Sequence, residues 1–258
     1  MVAASKMKKA QEAAVSSKPY AEKINQVTKL LASKIKVDWQ SFPLLKENRN
    51  NKILVILTST NKGLCGGLNT NLFRAIENWF GNTDNIDYIA LGKKGEAFIV
   101  RTKKKLISSF NDNFLDNIGA ITNLIVDLYN KGEYSQVFFI YNNFVSILKQ
   151  QPVKETILPI KLSDQNTEPN NMAEFVVEPS DSFILKTLLP HYLEVQIRRA
   201  ILEALACEHS ARMLAMKAAT DNATELMKEL TLVYNRIRQQ LITSEIADIV
   251  TAREAVAE

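Results

Sequence analysis

The sequence predicts an α/β protein in which a long antiparallel coiled coil of N- and C-terminal helices carries an inserted, small, doubly wound α/β domain. Three observations lead to this prediction. After Pro190 the chain contains neither Gly nor Pro. The first 45 residues contain no Gly. Between these two segments, short β-branched runs alternate with helical patterns, as they do in a parallel sheet with crossover helices.

Residues 1–48 are predicted to form the N-terminal coiled-coil helix. Small or apolar residues recur there at alternating spacings of three and four, which is the period of a helix face. They are Ala3, Met7, Ala10, Ala14, Ser17, Ala21, Ile24, Thr28, Leu31 and Ile35. Small side chains let two helix axes approach closely, so we expect antiparallel pairing with the C-terminal helix. Pro19 is expected to kink this helix, because proline removes one backbone hydrogen bond.

Residues 49–180 are predicted to form the globular domain. Apolar, β-branched runs predict strands, and helical periodicity predicts helices, in the order β-α-β-α-α-β. The predicted strands are 52–57, 86–91 and 136–141, and the predicted helices are 68–80, 94–101 and 118–129. Residues 144–160 and 175–177 are expected to add β structure near an edge. This order predicts a Rossmann-like sheet with right-handed crossovers.

Residues 181–258 are predicted to form the C-terminal coiled-coil helix, on the order of 100 Å long at about 1.5 Å per residue. Good helix formers dominate this segment. Its predicted seam also alternates spacings of three and four, as a heptad repeat does. The seam consists of Met213, Met216, Thr220, Ala223, Met227, Leu230, Tyr234, Ile237 and Leu241. A seam needs a partner helix, and the N-terminal segment is the expected one for all but the turns past about Ile242. The alternative is two separate amphipathic helices that pack on a globular core.

The composition argues against several classes of protein. A formal net charge of +4 does not by itself mark a nucleic-acid binder, and we expect no nucleic-acid partner. No apolar run reaches the roughly 18 residues that a transmembrane helix needs, so we expect no direct insertion into a bilayer. Cys65 and Cys207 lie far apart and offer no disulfide framework, which favours a reducing compartment.

No stretch of the sequence predicts a catalytic residue, a cofactor site or a metal site. The run KGLCGGLN follows the first predicted strand, as phosphate-binding loops do, but it lacks the Gly-Lys-Ser/Thr and GxGxxG patterns. We therefore interpret it as a structural turn, and Cys65 as a packed thiol. His191 and His209 would lie about 27 Å apart along one helix, too far to share a metal ion.

Several cations of the C-terminal helix lie off the predicted seam. They are Arg198, Arg199, Arg212, Lys217, Arg236 and Arg238. A solvated helix face explains most of them. Arginine also pairs with carboxylates through two hydrogen bonds, so acidic loops of a partner protein are a second interpretation.

Blocks of the sequence resemble the gamma subunit of the rotary, F-type ATP synthase, bacterial type. They are MVAASKMKKAQ at the start, KGLCGGLN in the middle, and EHSARMLAMKAATDNATEL and LTLVYNRIRQQLITSEIADIV near the end. The resemblance implies a rotor stalk without an active site, which couples proton-driven rotation of the membrane ring to ATP synthesis. It implies as partners the alpha and beta subunits of the catalytic hexamer, the epsilon subunit and the membrane c-ring. A bacterial member is expected at the cytoplasmic face of the cell membrane, as a peripheral protein.

The same resemblance assigns contacts to particular residues. Arg212, Arg238 and Gln239 match positions that engage acidic and polar residues of the catalytic subunit. Phe175 and Val177 fall where the family often has tyrosines that face epsilon and the membrane ring, and neither side chain offers a hydroxyl. Family members usually begin several helical turns before MVAASK, so we expect a short N-terminal helix. No cysteine-bearing insertion of the chloroplast type is present, so thiol regulation is not predicted.

Two other functions stay open on the residues alone. One is a small nucleotide- or flavin-binding α/β enzyme with helical arms, which a strand, a Gly-rich turn and a helix would permit. The other is a coiled-coil scaffold unrelated to ATP synthesis. Binding of ATP, NAD or a flavin to the isolated chain distinguishes the first from a rotor stalk.

Overall fold

The structure is a computed structural model that describes residues 2–34, 42–81, 83, 85–161, 178 and 180–257. The chain divides into two compact units, Met1–Met213 and Leu214–Glu258. The first unit holds the helix α1 (Val2–Lys34), a five-stranded sheet with its covering helices, and the first part of the helix α5 (Asp181–Ala257). The second unit consists of the remainder of α5.

The sheet is mostly parallel. Its strands are β1 (Ile53–Thr58), β2 (Ile86–Leu91), β3 (Lys105–Phe110), β4 (Gln136–Phe144) and β5 (Gln150–Leu158). The spatial order is β3-β2-β1-β4-β5, and only β5 pairs antiparallel with its neighbour. The strands β1 and β2 are almost wholly buried, which explains why they are continuous apolar runs in the sequence. The predicted doubly wound sheet is confirmed.

Helices cover both faces of the sheet. They are α2 (Leu68–Phe80), α3 (Lys93–Arg101) and α4 (Ile118–Asn130), together with α1 and α5. On one face, α2 and α3 bury side chains such as Leu72 and Ile99. On the other face, α4 and α5 bury Ile121 and Leu193. The sheet therefore lies between two apolar layers, as the doubly wound fold requires.

No pattern in the sequence predicts the strand β3. Five of its six side chains are only half-buried, because β3 is the edge strand beside β2. A half-buried edge strand is neither a continuous apolar run nor a clear alternation, so its pattern is weak. The β structure predicted for residues 144–160 is present as the hairpin of β4 and β5. The β structure predicted for residues 175–177 lies outside the described residues.

The chain leaves the N-terminal helix earlier than residue 48. Pro43–Leu45 form a short 3₁₀ turn, and Leu44 and Leu45 pack in the core on the α4 side of the sheet. Proline favours the first position of such a turn, since its missing N–H would have no partner there anyway. The segment after residue 42 therefore contributes to the globular core.

The repeat predicted for the N-terminal helix lies largely on its buried side. Ala14, Ala21, Thr28 and Leu31 are buried. The helix α1 includes Pro19 within its length. Alanine and threonine at these positions allow the close approach of a neighbouring helix that the sequence predicts.

Within the first unit, α1 and α5 run antiparallel. Ala14 packs with Leu202 and Ala206 of α5. Further along α1, the Tyr20 hydroxyl lies 2.9 Å from Nε2 of His191. Increasing residue numbers on α1 thus meet decreasing numbers on α5, which is the pairing that the sequence predicts.

The predicted seam of the C-terminal helix is not covered, contrary to the prediction that the N-terminal helix covers it. Met213 and Met216 are half-buried, and from Lys217 onward nearly every described side chain is exposed. Met227 is 64% exposed and Ile237 is 50% exposed. The remaining predicted seam residues are exposed as well: Thr220, Ala223, Leu230, Tyr234 and Leu241.

The buried stripe of α5 lies earlier, in the first unit. It includes Leu185, Leu189, Leu193, Ile197, Ile201 and Ala206. The prediction that only the turns past Ile242 lack an intramolecular partner is therefore wrong, since exposure begins at Lys217. The physical reason is length: the 33 residues of α1 can cover only a comparable length of an antiparallel helix.

Candidate functional site

The loop that follows β1 (residues 59–67, called here the β1–α2 loop) is held by a residue of α5. Arg212 donates from Nε to the carbonyl oxygen of Gly63 at 3.3 Å and from Nη2 to that of Lys62 at 3.3 Å. Its Nη2 also donates to Oε1 of Glu208 at 2.7 Å, and this carboxylate orients the guanidinium. Leu64, the next residue along the loop, has a positive φ of 62°, and its side chain is 74% exposed. The loop therefore presents one apolar side chain from a backbone fixed by Arg212.

The N-terminus of α3 is capped by the same loop. The Gly95 amide donates to Oγ of Ser59 at 2.7 Å, and the Lys93 amide donates to Oδ1 of Asn61 at 3.0 Å. A Cβ on Gly92 would lie 2.3 Å from the Ser59 carbonyl oxygen, so only glycine permits this approach. These amides at the start of α3 are thus used by the chain itself and are not free to bind an anion.

The thiols near this loop are packed. Cys65 is buried in one cluster with Leu68, Cys207 and Ala211. Cys207 donates from Sγ to the Asn142 carbonyl oxygen at 3.1 Å. Burial raises the pKa of the Cys207 thiol, and the nearby Glu203 carboxylate raises it further. A protonated, buried thiol is a poor nucleophile.

The crevice where a doubly wound sheet would bind a ligand is filled by α5. In such folds, ligands bind beyond the carboxyl ends of the strands, where the strand order reverses. Here that point lies between β1 and β4. Ala204, Leu205 and Glu208 of α5 line what remains, a cavity of about 10 Å³. A nucleotide does not fit this volume.

A partly buried ion cluster fixes α5 against the hairpin of β4 and β5. Arg199 donates from Nη2 to both carboxylate oxygens of Glu155, at 2.6 and 2.7 Å. Its Nη1 donates to Oε1 of Glu203 and to the Tyr141 hydroxyl, each at 3.3 Å. Burial alone would lower the pKa of Arg199, but Tyr141, Glu155 and Glu203 together raise it. Arg199 is therefore occupied within the chain, although the sequence analysis grouped it with the outward cations.

A polar groove of about 450 Å³ lies beside this cluster. It is lined from α1 by Lys18 and Glu22, and from α5 by Tyr192, Gln196 and Arg199. All the hydrogen bonds that Arg199 makes in the structure go to other groups of the chain. The Arg199 side chain in the lining of this groove is therefore held by other groups of the chain.

Comparison with known proteins gives the family. A family model described as ATP synthase matches residues 1–256. A protein called ATP synthase gamma chain from Legionella pneumophila (strain Corby) is 37% identical, and the match covers 99% of this chain and 91% of the relative. A protein of the same name from Dehalococcoides mccartyi is 40% identical, with 100% and 91% covered. The chain belongs to the ATP synthase gamma-chain family.

Solved structures agree with this family in fold. A chain of the Euglena gracilis mitochondrial ATP synthase (OSCP/F1/c-ring) superposes with a TM-score of 0.62 at 16% identity, covering 97% of this chain and 94% of that one. A chain of the Tetrahymena thermophila mitochondrial ATP synthase (central stalk and c-ring) gives a TM-score of 0.57 at 20% identity, covering 85% and 100%. At these identities the likeness concerns the fold alone.

The structure gives the predicted contact residues of this gamma chain different surroundings. Arg212 is held in the first unit by the contacts described above. Arg238 and Gln239 are exposed residues of the second unit. No ion pair of Arg238 is found within the described part of the chain. Phe175 and Val177 lie outside the described residues.

Some polar residues of the site have no signal in the sequence. Ser59 and Asn61 are residue types that commonly cap helices, but the helix they cap begins more than thirty positions later, at Lys93. Glu155 lies 44 positions from Arg199 in the sequence, so the two side chains come together only in the folded chain. The pair of Arg199 with Glu203, by contrast, has the i, i+4 spacing of a helical ion pair and could have been found.

Metal and membrane sites have no support in the described residues. Among them, no group of three or more potential metal-ligating side chains occurs. No helix in the described part of this gamma chain is both long and apolar enough to cross a membrane.

Proposed function

We propose that this chain is the central rotor-stalk subunit of a proton-translocating F-type ATP synthase. One observation carries the proposal: the segment 214–257 of α5 is helical and leaves a long series of apolar side chains exposed. Isolated exposed apolar residues are ordinary, whereas a contiguous series marks an interaction surface. Membership of the gamma-chain family supports partners that surround this segment.

The proposed mechanism is conformational coupling. A stalk without rotational symmetry presents a different surface to each of three catalytic subunits. A partner shifts the conformation of a subunit only as far as it binds one conformation better than another. We assign the discriminating polar contacts to Arg238 and Gln239, which are exposed and can meet acidic and polar groups of a catalytic subunit.

The chain itself is proposed to lack an active site. The switch-point crevice is reduced to about 10 Å³, the amides at the start of α3 are capped internally, and the Cys207 thiol is held protonated by burial. These features also count against the nucleotide- or flavin-binding enzyme. The proposed partners are the alpha and beta subunits, the epsilon subunit and the membrane c-ring, at the cytoplasmic face of a bacterial cell membrane.

Reconstitution with alpha and beta subunits tests this function. We expect the full chain to enter the complex and to support ATP turnover coupled to proton transport in the complete synthase. The double variant Arg238→Ala/Gln239→Ala should assemble but lose most of the coupled turnover. Arg236→Ala is the matched control, because Arg236 is exposed on the same segment and has no assigned contact.

Two outcomes would contradict the proposal. One is a chain that never enters the complex with alpha and beta subunits. The other is calorimetric binding of ATP, NAD or a flavin to the isolated chain, since a rotor stalk with a filled crevice binds none of them.

A further inference from the structure

A small, partly open cavity lies where β1 and β4 meet α5. Its volume is about 10 Å³, which is the space that one water-sized sphere occupies. The lining comes from the ends of both strands, from the β1–α2 loop and from α5, and it includes Thr58, Asn142, Ala204 and Glu208. The cavity is therefore lined partly by polar groups.

Two of the polar atoms in this lining have no partner in the described part of the chain. They are Oγ1 of Thr58 and Oδ1 of Asn142. Thr58 is 3% exposed and Asn142 is 4% exposed, so bulk water does not reach them. A buried hydroxyl or amide oxygen that makes no hydrogen bond is strongly unfavourable, and nearly all such groups in folded proteins are satisfied by protein or by ordered water.

We propose that this cavity binds one ordered water molecule that joins the sheet to α5. The water accepts a hydrogen bond from the Thr58 hydroxyl and donates one to Oδ1 of Asn142. Its second hydrogen points toward Glu208, which also lines the cavity. Three hydrogen bonds are typical of a buried water. The site is the remnant of the crevice in which related folds hold a ligand.

The chemistry of the lining selects water over a metal cation. The two unpartnered oxygens belong to neutral side chains, and the carboxylate of Glu208 already accepts a charge-assisted hydrogen bond from Arg212. A cation enclosed here would have exchanged its hydration shell for neutral oxygens, which is costly in a buried site. Water needs only one donor and one or two acceptors, and the lining supplies them.

The direction in which one substitution changes the stability of the chain tests the water site. Thr58→Val keeps the shape of the side chain and removes the hydroxyl. If the hydroxyl is bonded to a water, the variant loses that bond, and the unfolding equilibrium constant of the full chain should rise roughly fivefold. If the cavity is dry, the variant removes an unsatisfied group, and the constant should stay the same or fall.

Thr122→Val is the matched control. Oγ1 of Thr122 is also buried without a partner among the described residues, but Thr122 is not part of this lining. Its valine variant should leave stability unchanged or increase it. Urea titration of both variants beside the parent chain gives the comparison. A Thr58→Val chain as stable as the parent, or more so, overturns the proposal.

Density at the cavity is the second measurement, and it does not depend on how the variants fold. A high-resolution structure of the full chain in its complex should contain one peak within hydrogen-bond distance of Thr58 and Asn142. An empty cavity overturns the proposal. Stability that differs between sodium, potassium and choline chloride at equal ionic strength would also overturn it, since it would identify a bound cation.

Discussion

Arg212 donates from Nη2 to the Lys62 carbonyl oxygen at 3.3 Å and thereby joins α5 to the β1–α2 loop. The two residues are 150 positions apart in the chain. The side chain of Arg212 is 18% exposed, and Glu208 orients its guanidinium. The resemblance assigned Arg212 to a contact with a catalytic subunit. The structure adds an intramolecular role, because this guanidinium fixes the loop that presents Leu64.

Arg212→Ala should loosen the β1–α2 loop. The change removes hydrogen bonds from a charged donor to two carbonyl oxygens, which contribute about 1.5 to 3 kcal/mol together with the Glu208 pair. We expect hydrogen exchange to become roughly tenfold faster at the amides of Lys93 and Gly95, which donate to Asn61 and Ser59 of this loop. Arg236→Ala is the control and should leave this exchange unchanged. Equal exchange in the Arg212 variant and the parent would show that the loop holds its conformation by itself.

His209 should make the stability of the chain fall at mildly acidic pH. Burial lowers its pKa below the ordinary value of 6.5; Glu208 raises it, and Arg212 and Lys6 lower it further. Between the folded and unfolded pKa values the unfolded chain binds more protons, so the free energy of unfolding decreases as pH falls below about 6.5. His209→Gln should reduce this decrease. Urea titrations between pH 7.5 and about 5 measure it, and an identical slope in both chains would contradict the assignment.

The sequence predicts the strands of the central sheet better than it predicts the side-chain contacts between distant segments of the chain. Strands β1, β2 and β4 are buried on both faces and therefore appear as apolar runs, whereas the half-buried edge strand β3 does not. The heptad pattern from Met213 to Leu241 shows that a helix face needs a partner, but periodicity cannot say which molecule supplies it. Arg212 has no local signal for its loop contacts, because they depend on how distant segments fold together.

Arg199→Met should strongly destabilise the first unit. The substitution leaves the carboxylates of Glu155 and Glu203 without their cation, and the side chain of Glu203 is almost fully buried. Leaving a buried carboxylate such as that of Glu203 without its cation typically costs about 3 kcal/mol, and the half-exposed Glu155 carboxylate adds less. Adjacent Arg198→Met is the control, since its pair with Glu194 is solvent-exposed and contributes well under about 1 kcal/mol. Urea titration of the two variants measures the difference.

A triple variant separates charge from packing at the same place. Arg199→Met combined with Glu155→Leu and Glu203→Leu removes the uncompensated carboxylates, and we expect it to recover much of the lost stability. Without any recovery, the packing of the Arg199 side chain rather than its charge would explain the loss.

Ile237→Asn should separate the stability of the chain from its assembly. The side chain is 50% exposed in the second unit, so the free energy of unfolding of the isolated chain should change by no more than about 0.5 kcal/mol. If the proposed catalytic subunits cover this face, the variant buries a polar amide in an apolar interface and weakens binding by about 1 to 3 kcal/mol. Thermal unfolding of the free chain and titration into alpha and beta subunits measure the two effects.

Asn222→Ala, at an exposed polar position of the same helix, is the control for the Ile237 variant. Unweakened assembly of the Ile237 variant would mean that this face of α5 is not the surface that the catalytic subunits hold.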